Sequence, residues 1–198
     1  MRNTEKRKKI SIGVEDFKEI IDKDGYFVDK TLMIQELLES NAKVILFTRP
    51  RRFGKTLNQF MIRRFFEDEI TEKGEKVDNG YLFDGLAITR CGEEIMQHQQ
   101  RYPVIFMTLK SAKQDSYDMA YASLIDEISK EFKRHAYLLQ GESLSPKEKQ
   151  EFQLVMDKEA QPIAYAKALG FLSECLTKYH GHKTIILIDE YDVPLENA

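Results

Sequence analysis

The sequence is poor in cysteine and has no long apolar run. Its 198 residues include two cysteines, Cys91 and Cys175, which lie far apart and form neither a CxxC pair nor a disulfide framework. No apolar stretch approaches the roughly 20 residues of a membrane-spanning helix. The basic segment 1–9 is not followed by the apolar core of a secretory signal. These absences predict a soluble, cytoplasmic protein with no membrane partner.

Charge of one sign is absent from two stretches, although the whole chain has a net charge of only −3. Residues 40–66 contain seven Lys or Arg and no Asp or Glu, and residues 184–198 contain four acids and no Lys or Arg. Most charge runs are uneven solvated surface. Here each stretch carries its charges directly after a short apolar run, and that placement favours a functional interpretation.

Short apolar runs and helical patterns alternate along the chain. Runs without polar alternation predict strands buried on both faces at 44–47, 104–107 and 185–188. Helical spacing and capping signals predict helices that begin near Phe17, Asp29, Leu57, Tyr117, Pro146 and Pro162. Strands that alternate with helices are typical of the α/β class with a parallel sheet.

The first predicted strand is followed at 49–56 by Arg-Pro-Arg-Arg-Phe-Gly-Lys-Thr, which fits the end of the P-loop pattern GxxxxGK[ST]. In such a loop Gly54 allows a close backbone turn, Lys55 reaches the β- and γ-phosphates, and Thr56 offers a hydroxyl to Mg²⁺. The first glycine of the pattern is replaced by arginine, and the next residue is a proline without an N–H. Arg51 and Arg52 supply compensating positive charge.

The third predicted strand ends in a carboxylate pair, Asp189 and Glu190. After a P-loop, a strand that delivers an acid at its carboxyl end supplies a Mg²⁺ ligand, Asp189, and a group that polarises the attacking water, Glu190. The alternative is a helix cap or a surface feature, and the order of the motifs favours the catalytic interpretation. No Asn-Lys-x-Asp stretch for guanine recognition occurs, so ATP is preferred to GTP.

Six segments continue this pattern in order: Ile12–Phe17, Tyr26–Thr31, Arg49–Thr56, Leu82–Leu86, Tyr102–Ile105 and Ile188–Asp192. Together they resemble the bacterial AAA-ATPase-like family over almost the whole chain. The resemblance implies a P-loop NTPase fold of three α/β/α layers around a parallel sheet, in a domain at 41–198 preceded by a helical extension at 1–40. Members of the family are often joined to a C-terminal domain of the PD-(D/E)xK nuclease superfamily.

The resemblance also implies a role for each site residue. Glu190 and Lys55 are the expected catalytic residues, Thr56 and Asp189 the expected Mg²⁺ ligands, and ATP the expected nucleotide. The expected nucleotide-binding residues are Arg51, Arg52, Phe53, Gly54, Lys55, Thr56 and Leu57. Asp29–Thr31 is expected either near the nucleotide pocket or as a helix cap with a solvated lysine.

The chain ends nine residues after Asp189, before the fourth strand of the 5-1-4-3-2 order that such ATPases have. We therefore expect strands 1–3 only, in a domain truncated before its sensor and arginine-finger residues. The full-length form is expected to hydrolyse ATP and to couple nucleotide state to a missing nuclease-like domain or a partner, acting on nucleic acid; oligomerisation is left open. The alternative is a non-hydrolysing nucleotide sensor or nucleic-acid-binding module, favoured by the arginine-rich stretch.

The remaining histidines and cysteines show no catalytic pattern. His135 is expected on a polar helix face. His180-Gly181-His182 is expected on the surface, since no third metal ligand is near it in sequence. Neither cysteine has the partner that a nucleophile needs.

Overall fold

A computed structural model describes residues 8–10, 12–40, 42–48 and 53–193. The chain divides by its contacts into two compact units, Met1–Phe65 with Asn79–Gln99, and Phe66–Asp78 with Gln100–Ala198. Within the described ranges it has seven α-helices and one parallel sheet of two strands. The predicted α/β class is therefore confirmed. The three-layer P-loop architecture and the boundary after residue 40 stay predictions.

The first unit is built from short helices. In chain order these are α1 (Phe17–Asp22), α2 (Leu32–Glu39), α3 (Lys55–Phe66), 3₁₀ helices at Gly80–Phe83 and Ala87–Arg90, and α4 (Glu93–Met96). The predicted start near Phe17 is confirmed, because the carboxylate of Asp16 accepts a hydrogen bond from the backbone N–H of Lys18 at 2.8 Å and caps α1.

An aromatic cluster holds the elements of the first unit together. The ring of Phe17 lies 5.1 Å from that of Phe27 and 5.2 Å from that of Phe83, and Phe65 on α3 packs edge-on against Phe83 at 5.3 Å. Edge-to-face pairs at such distances are favourable beyond the area that they bury. The cluster therefore fixes α3 relative to the segment around Phe27.

The second unit surrounds the sheet. Its elements are β1 (Val104–Thr108), a 3₁₀ helix at Lys110–Ala112, α5 (Tyr117–Arg134), a 3₁₀ helix at Ala136–Leu139, α6 (Pro146–Met156), α7 (Pro162–His180) and β2 (Ile185–Asp189). Val104 pairs with Ile185 and Thr108 with Asp189, so both strands end at the same edge. The tilted rings of Phe132 of α5 and Phe152 of α6 lie 4.7 Å apart in the core that covers β1.

Two strand predictions need correction. The predicted buried strand at 44–47 is wrong: the segment is irregular, and Val44 is 86% exposed. A strand needs a neighbour for its N–H and C=O groups, and neither described strand pairs with this segment. β2 forms as predicted but is not buried on both faces, because Ile186 and Ile188 are exposed and Ile185 and Leu187 are only half-buried.

A buried ion cluster closes the edge of β1 that faces away from β2. The Glu131 carboxylate accepts a hydrogen bond from the N–H of Phe106 at 2.8 Å, and the Arg134 guanidinium donates to the C=O of Val104. In a parallel ladder one residue of the next strand binds the C=O of residue i and the N–H of residue i+2. Here Glu131 and Arg134 bind those two groups instead of another strand.

Two charged groups of the cluster remain ionised although burial opposes their charges. Arg134 also pairs with Glu67, and both carboxylates are buried. Although burial raises the pKa of Glu131, the Arg134 charge and the hydrogen bonds from His135 and Arg134 lower it well below the usual range. Burial lowers the pKa of Arg134, but the charges of Glu67 and Glu131 raise it further than burial lowers it. Glu131 and Arg134 are therefore ionised at neutral pH.

A chain of buried histidines extends from this cluster. His135 is 2% exposed, and its Nδ1 lies 3.2 Å from the hydroxyl of Tyr137, which lies 2.8 Å from Nε2 of His180. Nδ1 of His180 lies 3.2 Å from the carboxylate of Asp68. The expectations of a polar helix face for His135 and of a surface position for His180 are wrong. The partners of His180 are distant in sequence, and the burial of His135 depends on tertiary packing, so helical periodicity indicated neither position.

The two histidines should make the protein less stable in mild acid. Burial lowers the pKa of both His135 and His180 below 6.5, although carboxylates oppose the shift. Below pH 6.5 the imidazoles of the unfolded chain bind more protons than those of the folded protein, because the folded pKa values are lower. Proton binding therefore favours unfolding. We expect the free energy of unfolding to fall from pH 6.5 to 5.5, by at most about 1.4 kcal/mol per histidine and pH unit. Urea titrations at pH 7.5, 6.5 and 5.5 measure it.

The matched controls for this profile are two glutamine variants. His135→Gln should give a shallower decline, whereas His182→Gln, which changes an exposed ring, should leave the slope unchanged. The Glu131 carboxylate does not interfere, since its lowered pKa moves its own loss of stability to more acidic solutions. A protein that gains stability on going from pH 6.5 to 5.5 would contradict the assignment.

Candidate functional site

The first turn of α3 is the phosphate-binding part of the candidate site. Gly54 has a left-handed backbone with φ of 73°, and its C=O accepts the hydrogen bond from the N–H of Asn58 at 2.9 Å that opens the helix. Lys55 and Thr56 begin the helix. The first N–H groups of an α-helix have no carbonyl acceptor within the helix, and the helix dipole favours anions there. The local structure thus matches what the Gly-Lys-Thr sequence predicts.

A cavity of about 330 Å³ lies beside this turn. One wall is formed by Tyr26, Phe27, Val28 and Lys30, and the other by Phe53, Gly54, Leu57 and Asn58. A Cβ atom added at Gly54 would meet no atom within 4 Å, so the space in front of the loop is open. Aromatic and aliphatic side chains line the cavity together with the polar side chains of Lys30 and Asn58.

The segment Asp29–Thr31 leads into α2, whose N-cap Thr31 makes no side-chain capping hydrogen bond, and a position near a nucleotide stays a prediction. The Asp29 carboxylate accepts hydrogen bonds from the N–H and the hydroxyl of Thr31, at 2.9 and 2.7 Å, and from the N–H of Ala87 at 2.7 Å. Although burial raises the pKa of Asp29, these hydrogen bonds and the Arg90 charge lower it overall. Asp29 and Thr31 therefore fix the start of α2, while the half-buried Lys30 between them lines the cavity.

The carboxylate pair lies at the end of β2 in the second unit. Asp189 is 2% exposed, and its C=O accepts a hydrogen bond from Leu109, just beyond β1, at 3.0 Å. The register sets Thr108 of β1 opposite Asp189. Glu190 has a φ of 53°, a left-handed conformation that costs a residue with a Cβ about 1–2 kcal/mol. The chain therefore leaves the sheet sharply at Glu190.

The structure places the predicted site residues in two groups. Phe53, Gly54, Lys55, Thr56 and Leu57 lie together at the start of α3 in the first unit, and Asp189 and Glu190 lie at the end of β2 in the second. Arg51 and Arg52 lie outside the described residues. The catalytic, nucleotide-binding and metal-binding roles expected for the residues of both groups and for the two arginines stay predictions.

Sequence reasoning missed Tyr26 and Asn58 as cavity residues. The signal for Asn58 was present, since it follows Gly54 by four residues, one helical turn. The signal for Tyr26 was weaker: alternate residues of an extended segment share a face, which groups Tyr26 and Val28 with Lys30.

Two kinds of feature are absent from the described residues. Among residues 8–10, 12–40, 42–48 and 53–193, no helix combines the length and apolar character that crossing a bilayer requires. Within the same ranges, no three His, Cys, Asp or Glu side chains are grouped so as to hold a metal ion by themselves.

Comparison with known proteins gives a family match over most of the chain. The model of a family described as "Predicted AAA-ATPase" matches residues 11–198. The chain is 27% identical over 195 residues to the "uncharacterized protein in vnfD 5′region" of Azotobacter chroococcum mcd 1. That alignment covers 96% of this chain and 30% of the relative, so the chain spans less than a third of the relative's length. No solved structure matches the chain.

Proposed function

Because the chain belongs to the AAA-ATPase-like family, we propose that it binds ATP at the loop before α3 and that the whole protein hydrolyses this ATP with Mg²⁺. The observation that carries the proposal is the first turn of α3. There a left-handed Gly54, which lines the open cavity, is followed by Lys55 and Thr56 in the first turn of the helix. A phosphate chain needs backbone N–H groups, a positive charge and open space at one place.

Each chemistry-bearing residue has a proposed role. Lys55 donates hydrogen bonds to the β- and γ-phosphates and stabilises the charge that develops there during hydrolysis. Glu190 accepts a hydrogen bond from the attacking water and orients it. Arg51 and Arg52 add positive charge to the loop, while Phe53 and Leu57 flank it.

The oxygen donors present suit Mg²⁺. The Thr56 hydroxyl and the Asp189 carboxylate are hard oxygen ligands, and in nucleotide sites Mg²⁺ binds through one or two such groups together with substrate phosphates. A site of this kind needs no cluster of three acidic side chains. When bound, the ion neutralises charge on the β- and γ-phosphates.

The proposed role of the whole protein is to couple this nucleotide state to another activity. The aligned segment is less than a third of the matched relative, which leaves room for such an activity, and we propose a nuclease-like domain or a partner that acts on nucleic acid. ATP binding by the present chain does not depend on that part of the proposal.

Replacement of Lys55 by alanine tests the proposal directly. A hydrogen bond to a charged group contributes about 1.5–3 kcal/mol, so Lys55→Ala should weaken ATP binding in the presence of Mg²⁺ by roughly 10–100-fold. Isothermal titration calorimetry measures the affinity, and the rise of the melting midpoint with ATP checks it independently, because a ligand that binds only the folded state stabilises it.

Lys147→Ala is the matched control for this experiment. Lys147 is an exposed lysine in the first turn of another helix, α6, so its removal changes the same charge at an equivalent helix position. It should leave the affinity for ATP unchanged. Equal affinities of wild type and Lys55→Ala would refute the assignment of the loop.

A further inference from the structure

The cavity beside α3 is lined by aromatic and aliphatic side chains around one polar amide. Tyr26, Val28 and Phe53 line it, and each is 57–60% exposed. Exposed apolar side chains are ordinary when scattered singly, but a group around one opening indicates a binding surface. These three side chains come from two segments that the aromatic cluster of the first unit holds together.

Asn58 supplies the polar amide. It lies one turn into α3, lines the cavity, and is only 5% exposed. Within the described part of the chain its side-chain amide takes part in none of the observed hydrogen bonds, and its backbone N–H is used by Gly54. The amide atoms are not among the sealed polar atoms of the structure, so a ligand or water in the cavity can satisfy them. An amide offers one acceptor and two donors at its tip.

The chemistry of these walls fits a flat heteroaromatic ring. Aromatic side chains bind a base through its faces, and an amide binds the alternating donors and acceptors at a base edge, as asparagine does with adenine. The half-buried Lys30 adds a positive charge on the same wall. A phosphate group alone would gain nothing from Tyr26, Val28 or Phe53.

We infer that this cavity holds the nucleobase of the bound nucleotide, with Tyr26 and Phe53 against the ring and Asn58 at its hydrogen-bonding edge. The inference rests on the proposed ATP binding and adds to it the part of the site that recognises the base. It also gives the Tyr26–Lys30 segment a direct contact with the ligand.

The test compares a nucleotide with its phosphate chain alone. ATP and inorganic tripolyphosphate, each with Mg²⁺, are titrated calorimetrically into the 198-residue chain and into Tyr26→Ala. Stacking on an aromatic side chain accounts for about a tenfold difference in affinity. Tyr26→Ala should therefore bind ATP about tenfold more weakly and bind tripolyphosphate as the wild type does. Asn58→Ala should show the same selective loss, and Tyr117→Ala, which removes another exposed tyrosine, should change neither affinity.

The outcomes separate this inference from the proposed function. If wild type binds ATP and tripolyphosphate equally and Tyr26→Ala changes neither, ATP binding stands and the base pocket is wrong. If Tyr26→Ala weakens both ligands by the same factor, the residue acts through folding or phosphate binding, and the inference is also overturned. If wild type binds neither ligand, the proposed function fails and the inference fails with it.

Discussion

In the whole protein, a Glu190→Gln variant should bind ATP with unchanged affinity and hydrolyse it about 10²–10⁴-fold more slowly than the wild type, the range over which a positioned acid or base accelerates a reaction. The amide keeps the size of the carboxylate but does not accept a proton from water. The left-handed backbone at this residue, with φ of 53°, costs glutamine about what it costs glutamate. Any change in turnover therefore reports the lost charge rather than a change in the turn.

Phosphate release in the presence of Mg²⁺ measures the turnover, and calorimetry measures the affinity. Glu174→Gln is the matched control, because it makes the same replacement at an exposed position on α7. Equal hydrolysis by Glu190→Gln and wild type would remove Glu190 from the proposed role. Tight ATP binding with no hydrolysis by the wild type would instead favour the non-hydrolysing nucleotide sensor.

The elements that the sequence predicted well are those whose signals are local. The capping box of Ser145 and Glu148 opens α6 as expected, with Pro146 at its first position. Gly54, Lys55 and Thr56 form the turn into α3 that their order predicts. In each case the residues that specify the structure lie within one helical turn of each other, so the pattern can be recognised without knowledge of the fold.

The wrong expectations all concerned features that tertiary contacts decide. The apolar run at 44–47 has strand composition, but pairing decides whether a strand forms, and no described strand pairs with it. A polar helix face is the sequence-based expectation for His135, whereas in the fold its ring is buried beside Glu131 and Tyr137. Asn58 was unremarkable in sequence because its importance comes from Tyr26 and Val28, about 30 residues earlier in the chain.

Replacing Arg134 by methionine should destabilise the second unit by about 3–5 kcal/mol, the cost of breaking a buried ion pair from one side. The substitution leaves the buried carboxylates of Glu67 and Glu131 without the guanidinium between them. It also removes the donor to the C=O of Val104 at the edge of β1. Methionine fills a similar volume, so the loss comes from charge and hydrogen bonding rather than from a cavity. Urea unfolding, followed by circular dichroism, measures the change.

Two further variants show whether the cluster acts by charge. Lys133→Met, at the exposed neighbouring position, should change stability by less than about 0.5 kcal/mol. In a background that carries both Glu67→Gln and Glu131→Gln, Arg134→Met should cost far less than in the wild type, because no buried carboxylate is then left uncompensated. An equal cost in both backgrounds would mean that Arg134 stabilises β1 through its hydrogen bond to Val104 alone. The ion cluster would then stabilise β1 by replacing the hydrogen bonds of a neighbouring strand, and its charges would contribute nothing to stability.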